Sequence, residues 1–288
     1  MDLANLQTVQ NLLRRHGIAL KKSLGQNFLI DPTVCPRMAE SCADGQTGVL
    51  EIGPGFGVLT AACAEVANRV VAVELDRRME PVLKETLADY QNVRVHFSDV
   101  MKTDLAALIR EEFSGCSRVV VCANLPYYIT SPILMRLLES RLSVESLTVM
   151  VQKEAADRLC AAPGTRAAGS ISAAVSYYAE PQILFGVGRS AFVPPPKVDS
   201  AVIRLTLRKT PAVTVRSEAF LFETVRACFA ERRKTLLNSA SHTLGIDKPV
   251  VAAAIRQLGC PETVRGETLN LEQLARLSDL LYEQRKNG

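Results

Sequence analysis

Between residues 48 and 152, short apolar runs alternate with longer amphipathic stretches. Val49-Leu50-Glu51-Ile52, Arg69 to Leu75, Val93 to Phe97, Arg118 to Ala123 and Leu147 to Val151 read as strands. A helical run to about Ala67, then Arg77 to Tyr90 and Ser131 to Glu139, read as helices. This alternation predicts an α/β fold with a parallel sheet covered on both faces. Residues 153–178 read as helical, with a break at Ala162-Pro163-Gly164. Two strands follow, near Gln182–Val187 and Val198–Leu207, and predict a closing hairpin at the sheet's end. From about Ser217 the pattern is helical. Lys209-Thr210-Pro211 marks the break, which predicts a sheet domain over 1–209 and a helical domain over 210–288.

Length and composition agree with two domains. The chain has 288 residues, 48% apolar and 22% charged, the balance of an ordinary globular protein. No run approaches the roughly 18–20 apolar residues that cross a bilayer. The start, with Asp2 and no apolar stretch of signal type, predicts a cytoplasmic protein without membrane contact. The eight cysteines form no C-x-x-C pair and only three histidines are present, so no metal site is expected. Buried reduced thiols are the expectation.

Net charge is only +4, but the basic residues cluster. From Arg204 to Lys234 there are eight Lys/Arg, including Arg226, Arg232, Arg233 and Lys234, against three Glu. Arg14, Arg15, Lys21 and Lys22 form a second group. Two basic patches suit a polyanion groove; solvated faces are the plain alternative.

The candidate chemistry sits at the ends of the predicted strands. Glu51-Ile52-Gly53-Pro54-Gly55-Phe56-Gly57 closes one strand and opens a helix. Gly53 and Gly55 let the backbone approach a ligand closely, and the turn fits a nicotinamide or an S-adenosylmethionine site. Pro54 removes a donor that a pyrophosphate would use. Glu74 at the next strand end can accept two ribose hydroxyls, and Asp99 at the third can accept an adenine amino group.

The fourth strand ends in Asn124-Leu125-Pro126-Tyr127. Pro126 fixes its own φ and restricts Leu125 to extended geometry. The Asn124 side-chain oxygen and the carbonyl of Leu125 or Pro126 can each accept one N–H of an exocyclic amine. Tyr127 can stack on the base that carries it. An ordinary Asn-x-Pro turn is the competing reading.

Together with Leu24-Gly25-Gln26-Asn27-Phe28-Leu29, Phe192-Val193-Pro194-Pro195-Pro196-Lys197-Val198-Asp199-Ser200 and Arg232-Arg233-Lys234-Thr235-Leu236, these segments resemble the ribosomal RNA adenine N6-dimethyltransferases from about residue 20 to 240. The resemblance implies a seven-stranded Rossmann-like methyltransferase sheet with a small C-terminal all-helical domain that binds RNA. It implies S-adenosyl-L-methionine as cofactor. Asn27 and Leu29 would contact it from an N-terminal flap, Gly53 would lie against its methionine part, Gly55 would also bind it, Glu74 would hold the ribose, Asp99 the adenine, and Asn124 would sit near the sulfonium and the target amine. Tyr127 and Phe192 would sandwich the target base. Arg14, Arg15, Lys21, Lys22, Lys197, Arg226, Arg232, Arg233 and Lys234 would grip RNA. The implied reaction is dimethylation of two adjacent adenosines in 16S rRNA of the immature 30S subunit, by a monomer, as part of ribosome biogenesis. The helical tail and the Arg-Arg-Lys-Thr-Leu segment favour the small-subunit branch over the large-subunit resistance methylases. DNA adenine and protein glutamine methyltransferases usually carry Asp/Asn-Pro-Pro-Tyr/Phe instead. An RNA-binding assembly factor and a nicotinamide oxidoreductase are the remaining alternatives, the second lacking a His or Lys in any hydride-transfer motif.

Overall fold

The apolar runs pair with one another. The computed structural model describes residues 3, 5–18, 28–231 and 233–287. Its strands are β1 (Phe28–Leu29), β2 (Thr47–Ile52), β3 (Arg69–Glu74), β4 (Val93–Phe97), β5 (Arg118–Asn124), β6 (Ser146–Gln152), β7 (Ala179–Val187), β8 (Phe192–Val193) and β9 (Ser200–Leu207). Seven of them form one sheet in the order β4-β3-β2-β5-β6-β9-β7. The pairs β3–β4, β2–β3, β2–β5 and β5–β6 are parallel, and β9 runs antiparallel to β6. The expected closing pair is present, β9 and β7 being neighbours at the end of the sheet, with the later strand β9 seated between β6 and the edge strand β7.

Val120, Val121, Cys122 and Ala123 of β5 are all buried, which explains why this strand is an unbroken apolar run rather than an alternating one. Burying each valine stabilises the fold by roughly 1.5–3 kcal/mol, an upper figure because the unfolded chain hides some of that surface already.

Among the helices, α1 is Leu6–Arg15, α2 Val34–Cys42, α3 Val58–Val66, α4 Glu80–Thr86, α5 Leu105–Glu112 and α6 Thr130–Glu139. Met38, Ala39, Leu59 and Cys63 of α2 and α3 pack with Val49, Val70, Val120 and Cys122 of the sheet. Val9 of α1 packs with Phe56, Met79, Val82, Leu83 and Leu87. The sequence reading did not place α1, α2 or α5. Asn5 caps α1, accepting from the N–H of Gln7 at 2.9 Å and of Thr8 at 3.3 Å, and Asp104 caps α5 through the N–H of Ala107 at 2.9 Å.

Contacts divide the chain into two compact units, Met1–Ala156 with Gln182–Leu207, and Asp157–Pro181 with Arg208–Gly288. The segment Asp157–Pro181 therefore groups with the C-terminal helices, whereas a single boundary at 209/210 leaves it with the sheet. In the second unit, α7 (Lys153–Leu159) ends and α8 (Ser170–Tyr178) meets α9 (Glu218–Ala230). Tyr177 and Tyr178 donate to the two oxygens of Glu218 at 3.1 and 2.7 Å, and the Tyr178 ring stacks on Phe222. These contacts explain the grouping: the side chains of α8 are committed to α9. Helices α10 (Leu236–Leu244), α11 (Lys248–Gln257) and α12 (Leu271–Asn287) complete the unit. Among the described residues, no helix is long and apolar enough to cross a membrane. All eight cysteines are free, and Cys35, Cys42, Cys63, Cys122 and Cys228 are buried.

Candidate active site

Strands β4, β3, β2 and β5 run parallel side by side, so their carboxyl ends share one edge of the sheet. The chain moves outward from β2 through β3 to β4, then returns to the other side of β2 as β5. Where strand order reverses, the connections diverge and leave a crevice. A cavity of about 450 Å³ lies there, a size suited to a cofactor-sized ligand. Leu29, Glu51, Gly53, Gly55, Glu74, Asp99, Asn124, Leu125, Pro126, Tyr127 and Phe192 all line it.

The glycine turn opens the floor. Gly53 and Gly55 have φ of 71° and 58°, and a Cβ at either would meet nothing within 4 Å. The left-handed backbone excludes most side chains, and the space a side chain would fill is left open to a ligand.

Glu74 is buried and held by the backbone. It accepts from the N–H of Asp76 at 2.8 Å and of Gly55 at 3.3 Å. Burial raises its pKa, and these two N–H bonds oppose the rise in part. Asp99 accepts from the N–H of Met101 at 2.9 Å and so caps the turn that follows its strand. Its side chain stays one-third exposed, with acceptor capacity to spare. Arg136 of α6 clasps the loop behind it, donating to the carbonyls of Val100 at 3.0 Å and Thr103 at 2.8 Å. Nothing in the sequence near Arg136 signals this role, because its partners are main-chain atoms more than thirty positions away.

Glu51 is 1% exposed, and its Oε2 has no hydrogen-bond partner among the described residues. Burial, with the nearby charge of Glu74, pushes its pKa up to about 8; the Thr60 hydroxyl acts in the opposite sense without making an aligned bond. An orphaned buried carboxyl at the edge of a cavity is an acceptor in search of a cation or donor. The sequence reading included Glu51 in the glycine motif but gave it no role.

The amine-clamp residues look into the same cavity. The Asn124 side chain makes no hydrogen bond among the described residues. Leu125 is 1% exposed, so only its backbone can face a ligand. The Pro126 carbonyl already accepts from the N–H of Ile129 at 3.1 Å and the hydroxyl of Thr130 at 3.0 Å. Of the two carbonyls offered by the sequence, Leu125's is therefore the available one. Tyr127 is half-buried, and its hydroxyl lies 2.6 Å from Ser200 Oγ. Phe192 is only 2% exposed and belongs to the core, so it forms part of the wall and lacks the bare ring face expected of a stacking partner. Leu29 reaches the cavity because β1 pairs with β8, setting Leu29 opposite Phe192.

Asn27, Lys21, Lys22 and Arg232 lie outside the described residues. Arg14, Lys197, Arg226 and Arg233 are exposed and make no ion pair among the described residues. Arg15 pairs with Glu85, and Lys234 pairs with Glu231 at 2.9 Å. The stretch from Arg204 is less free than its composition suggests. Arg204 donates to the Ser41 carbonyl, Arg208 pairs with Glu180 and Arg216 with Glu283.

A parallel sheet closed by an antiparallel strand, with a glycine turn and strand-end acids around one crevice, defines a Rossmann-like methyltransferase. Two solved structures share it. A dimethyladenosine transferase from Plasmodium falciparum superposes with a TM-score of 0.70 at 27% identity, covering 90% of this chain and 98% of the other. The 23S rRNA methyltransferase ErmE gives 0.64 at 27% identity, covering 89% of this chain and all of the other. The sequence matches the family Ribosomal RNA adenine dimethylase over residues 17–280. A protein of Shouchella clausii named Ribosomal RNA small subunit methyltransferase A is 48% identical over 284 residues, 98% of this chain and 96% of its own length. Its namesake in Geobacillus thermodenitrificans is 48% identical over 284 residues, 97% of each chain. The chain belongs to the ribosomal RNA adenine dimethylase family, and it is a ribosomal RNA adenine methyltransferase.

Proposed function

We propose that this enzyme uses S-adenosylmethionine to dimethylate N6 of adjacent adenosines in 16S rRNA, acting as a monomer on the immature small subunit in the cytoplasm. The observation that carries the reading is the single cavity lined by the glycine turn, the strand-end acids and the Asn124–Tyr127 turn.

The residues fit the cofactor chemically. The open side of Gly53 and Gly55 admits its amino-acid part. The unpartnered Glu51 oxygen offers an acceptor to its ammonium group. Glu74 can take the ribose hydroxyls and Asp99 the adenine amine. Leu29 adds apolar contact, and Asn27 would join it from the N-terminal segment. When bound, S-adenosylmethionine supplies a methyl group on a positively charged sulfur; the C–S bond breaks as N6 forms its new C–N bond, and N6 then loses a proton.

The protein's part is positioning and electrostatics. Adenine N6 is a poor nucleophile because its lone pair is shared with the ring. Asn124 Oδ1 and the Leu125 carbonyl would accept its N–H groups and draw the nitrogen toward a pyramidal shape. No side-chain base is needed before attack, since the cationic product nitrogen is strongly acidic. Tyr127 would stack on the extruded base, with Pro126 fixing the turn and Phe192 closing the wall behind. Arg14, Arg15, Lys197, Arg226, Arg233 and Lys234 would contact phosphates, joined by Lys21, Lys22 and Arg232.

The test is direct. The protein is incubated with methyl-labelled S-adenosylmethionine and immature small subunits, and the RNA is digested. Label in N6,N6-dimethyladenosine from 16S rRNA is the expected outcome. Label confined to large-subunit RNA, or to another nucleoside, overturns the proposal.

A further inference from the structure

The Asn124–Tyr127 turn is fixed along its main chain, yet one freedom remains. The Leu125 N–H bonds to the Met150 carbonyl at 3.2 Å, and the Pro126 carbonyl is held by Ile129 and Thr130. What these bonds leave free is rotation of the Tyr127 side chain. A single hydrogen bond removes it: the Tyr127 hydroxyl to Ser200 Oγ, 2.6 Å away. Ser200 is well suited to anchor a ring. It is 1% exposed and sits in the β9 ladder directly opposite Gln152. The preceding carbonyl, of Asp199, accepts from the Lys153 N–H at 2.9 Å. The position of the Ser200 hydroxyl is thus set by the sheet and not by a loop.

We propose that Ser200 is a positioning residue whose hydroxyl fixes the Tyr127 ring against the target adenine, and that this hold matters most in the second methyl transfer. The inference rests on the reading of Tyr127 as the stacking residue. The asymmetry follows from counting hydrogens. Unmodified N6 carries two N–H groups, one each for Asn124 and the Leu125 carbonyl. After one methylation a single N–H remains, and one acceptor loses its partner. The monomethylated base is held less by its amine, so it depends more on the ring that stacks over it.

Four variants test this: Ser200→Ala, Ser200→Thr, Tyr127→Phe and the Ser200→Ala/Tyr127→Phe double. Each is assayed on unmodified and N6-monomethylated substrate RNA, with cofactor affinity measured by calorimetry. Ser200→Ala and Tyr127→Phe should each raise KM for the monomethylated RNA on the order of three- to tenfold, the worth of one hydrogen bond. N6-methyladenosine should accumulate, the double variant should be no worse than either single, and Ser200→Thr should restore the dimethyl product. Cofactor affinity should change less than about twofold, since one hydrogen bond remote from the acids is removed. An unchanged ratio of mono- to dimethyl product in both single variants, or additive losses in the double, overturns the proposal. If Ser200→Ala fails to fold, Tyr127→Phe alone decides, because it removes the same bond from the other side. Tyr127→Ala separates the two readings. If it leaves RNA KM and product intact, the stacking reading has failed; if it is crippled while Ser200→Ala and Tyr127→Phe behave like the parent, stacking stands and the role of Ser200 falls.

Discussion

The two halves of the crevice are built differently. On the side of β3 and β4, two acids are already engaged by the protein, while Glu51 on β2 keeps one oxygen unpartnered among the described residues. Glu74 is bound by two backbone N–H groups and Asp99 by one. On the β5 side, the Asn124 amide and the Leu125 carbonyl have no partners among the described residues. The first half is arranged before any ligand arrives. The second leaves polar groups waiting for one, which suits a substrate that must be gripped, turned over and released. Losing a group from the arranged half should weaken binding, and losing one from the waiting half should slow chemistry.

The largest effect tests the waiting half. Asn124→Ala should lower kcat by about a hundredfold or more, the scale for loss of a transition-state hydrogen-bond partner. Its cofactor affinity, read by calorimetry, should stay within a few-fold. Equal losses in kcat and in cofactor binding would dissolve the distinction between the halves.

Glu74→Gln tests the arranged half. A charge-assisted hydrogen bond is worth about 1.5–3 kcal/mol, so cofactor affinity should fall on the order of ten- to a hundredfold. Single-turnover rates at saturating cofactor should remain near those of the parent enzyme. A large fall in the single-turnover rate would place Glu74 in the chemistry itself.

Glu51 gives the arranged half a pH signature. Its carboxyl titrates at about 8, against 4.5 when unperturbed. Only its ionised form pairs with an ammonium, so cofactor affinity should strengthen as pH rises toward 8, by at most about tenfold per unit. Glu51→Gln should flatten that slope. Stability should move the opposite way. Between 4.5 and about 8 the unfolded chain has lost this proton while the folded one keeps it, so the group's contribution destabilises the fold as pH rises through that window. Glu51→Gln should therefore raise the melting temperature more at the alkaline end than at the acid end. A parallel drop in both properties would show that Glu51 serves packing alone.

Smaller still is an effect far from the crevice. Glu112 accepts from Arg69 and Arg94 at 2.7 Å each and contacts His96 at 3.1 Å. Burial alone would raise its pKa, but the hydrogen bonds from Arg94 and Arg69 outweigh that and hold it at about 2. The stabilisation is complete above about 4.5 and is lost as pH falls toward 2. Glu112→Gln should lower the melting temperature by a few degrees near neutrality, and the difference should shrink in acid. This change should leave methyl transfer by the folded protein unaltered, which makes it a control for the other three.

The strand ends were legible in the sequence because short apolar runs bounded by chemistry-bearing residues leave few alternatives. Glu74, Asp99 and Asn124 reached one cavity for that reason. Other features were not legible because they depend on pairing between distant residues. Arg136 acts on carbonyls of the Val100–Thr103 loop, and Ser200 meets a tyrosine 73 positions earlier. The burial of Phe192 was equally hidden, since its motif gives the ring but not the core behind it. Helix α1 left readable signs, an Asn5 cap followed by Val9 and Leu12 on one face, but its two arginines drew attention to charge. Arg204, Arg208 and Arg216 show the same weakness, because counting basic residues says nothing about which are paired within the fold.

The insertion of β9 between β6 and β7 bears on how the enzyme is made. Both neighbours of β9 leave the ribosome before it does, so β7 has no place beside the growing sheet until the final strand fills the gap. The arranged half of the crevice is encoded by residue 99 and the amine clamp by residue 127, but Phe192 and Ser200 arrive much later. A nascent chain can thus hold the rudiments of a cofactor site long before it has a finished pocket for a base. An enzyme that modifies ribosomal RNA acquires its complete reaction chamber only once Ser200 of its 288 residues has been made.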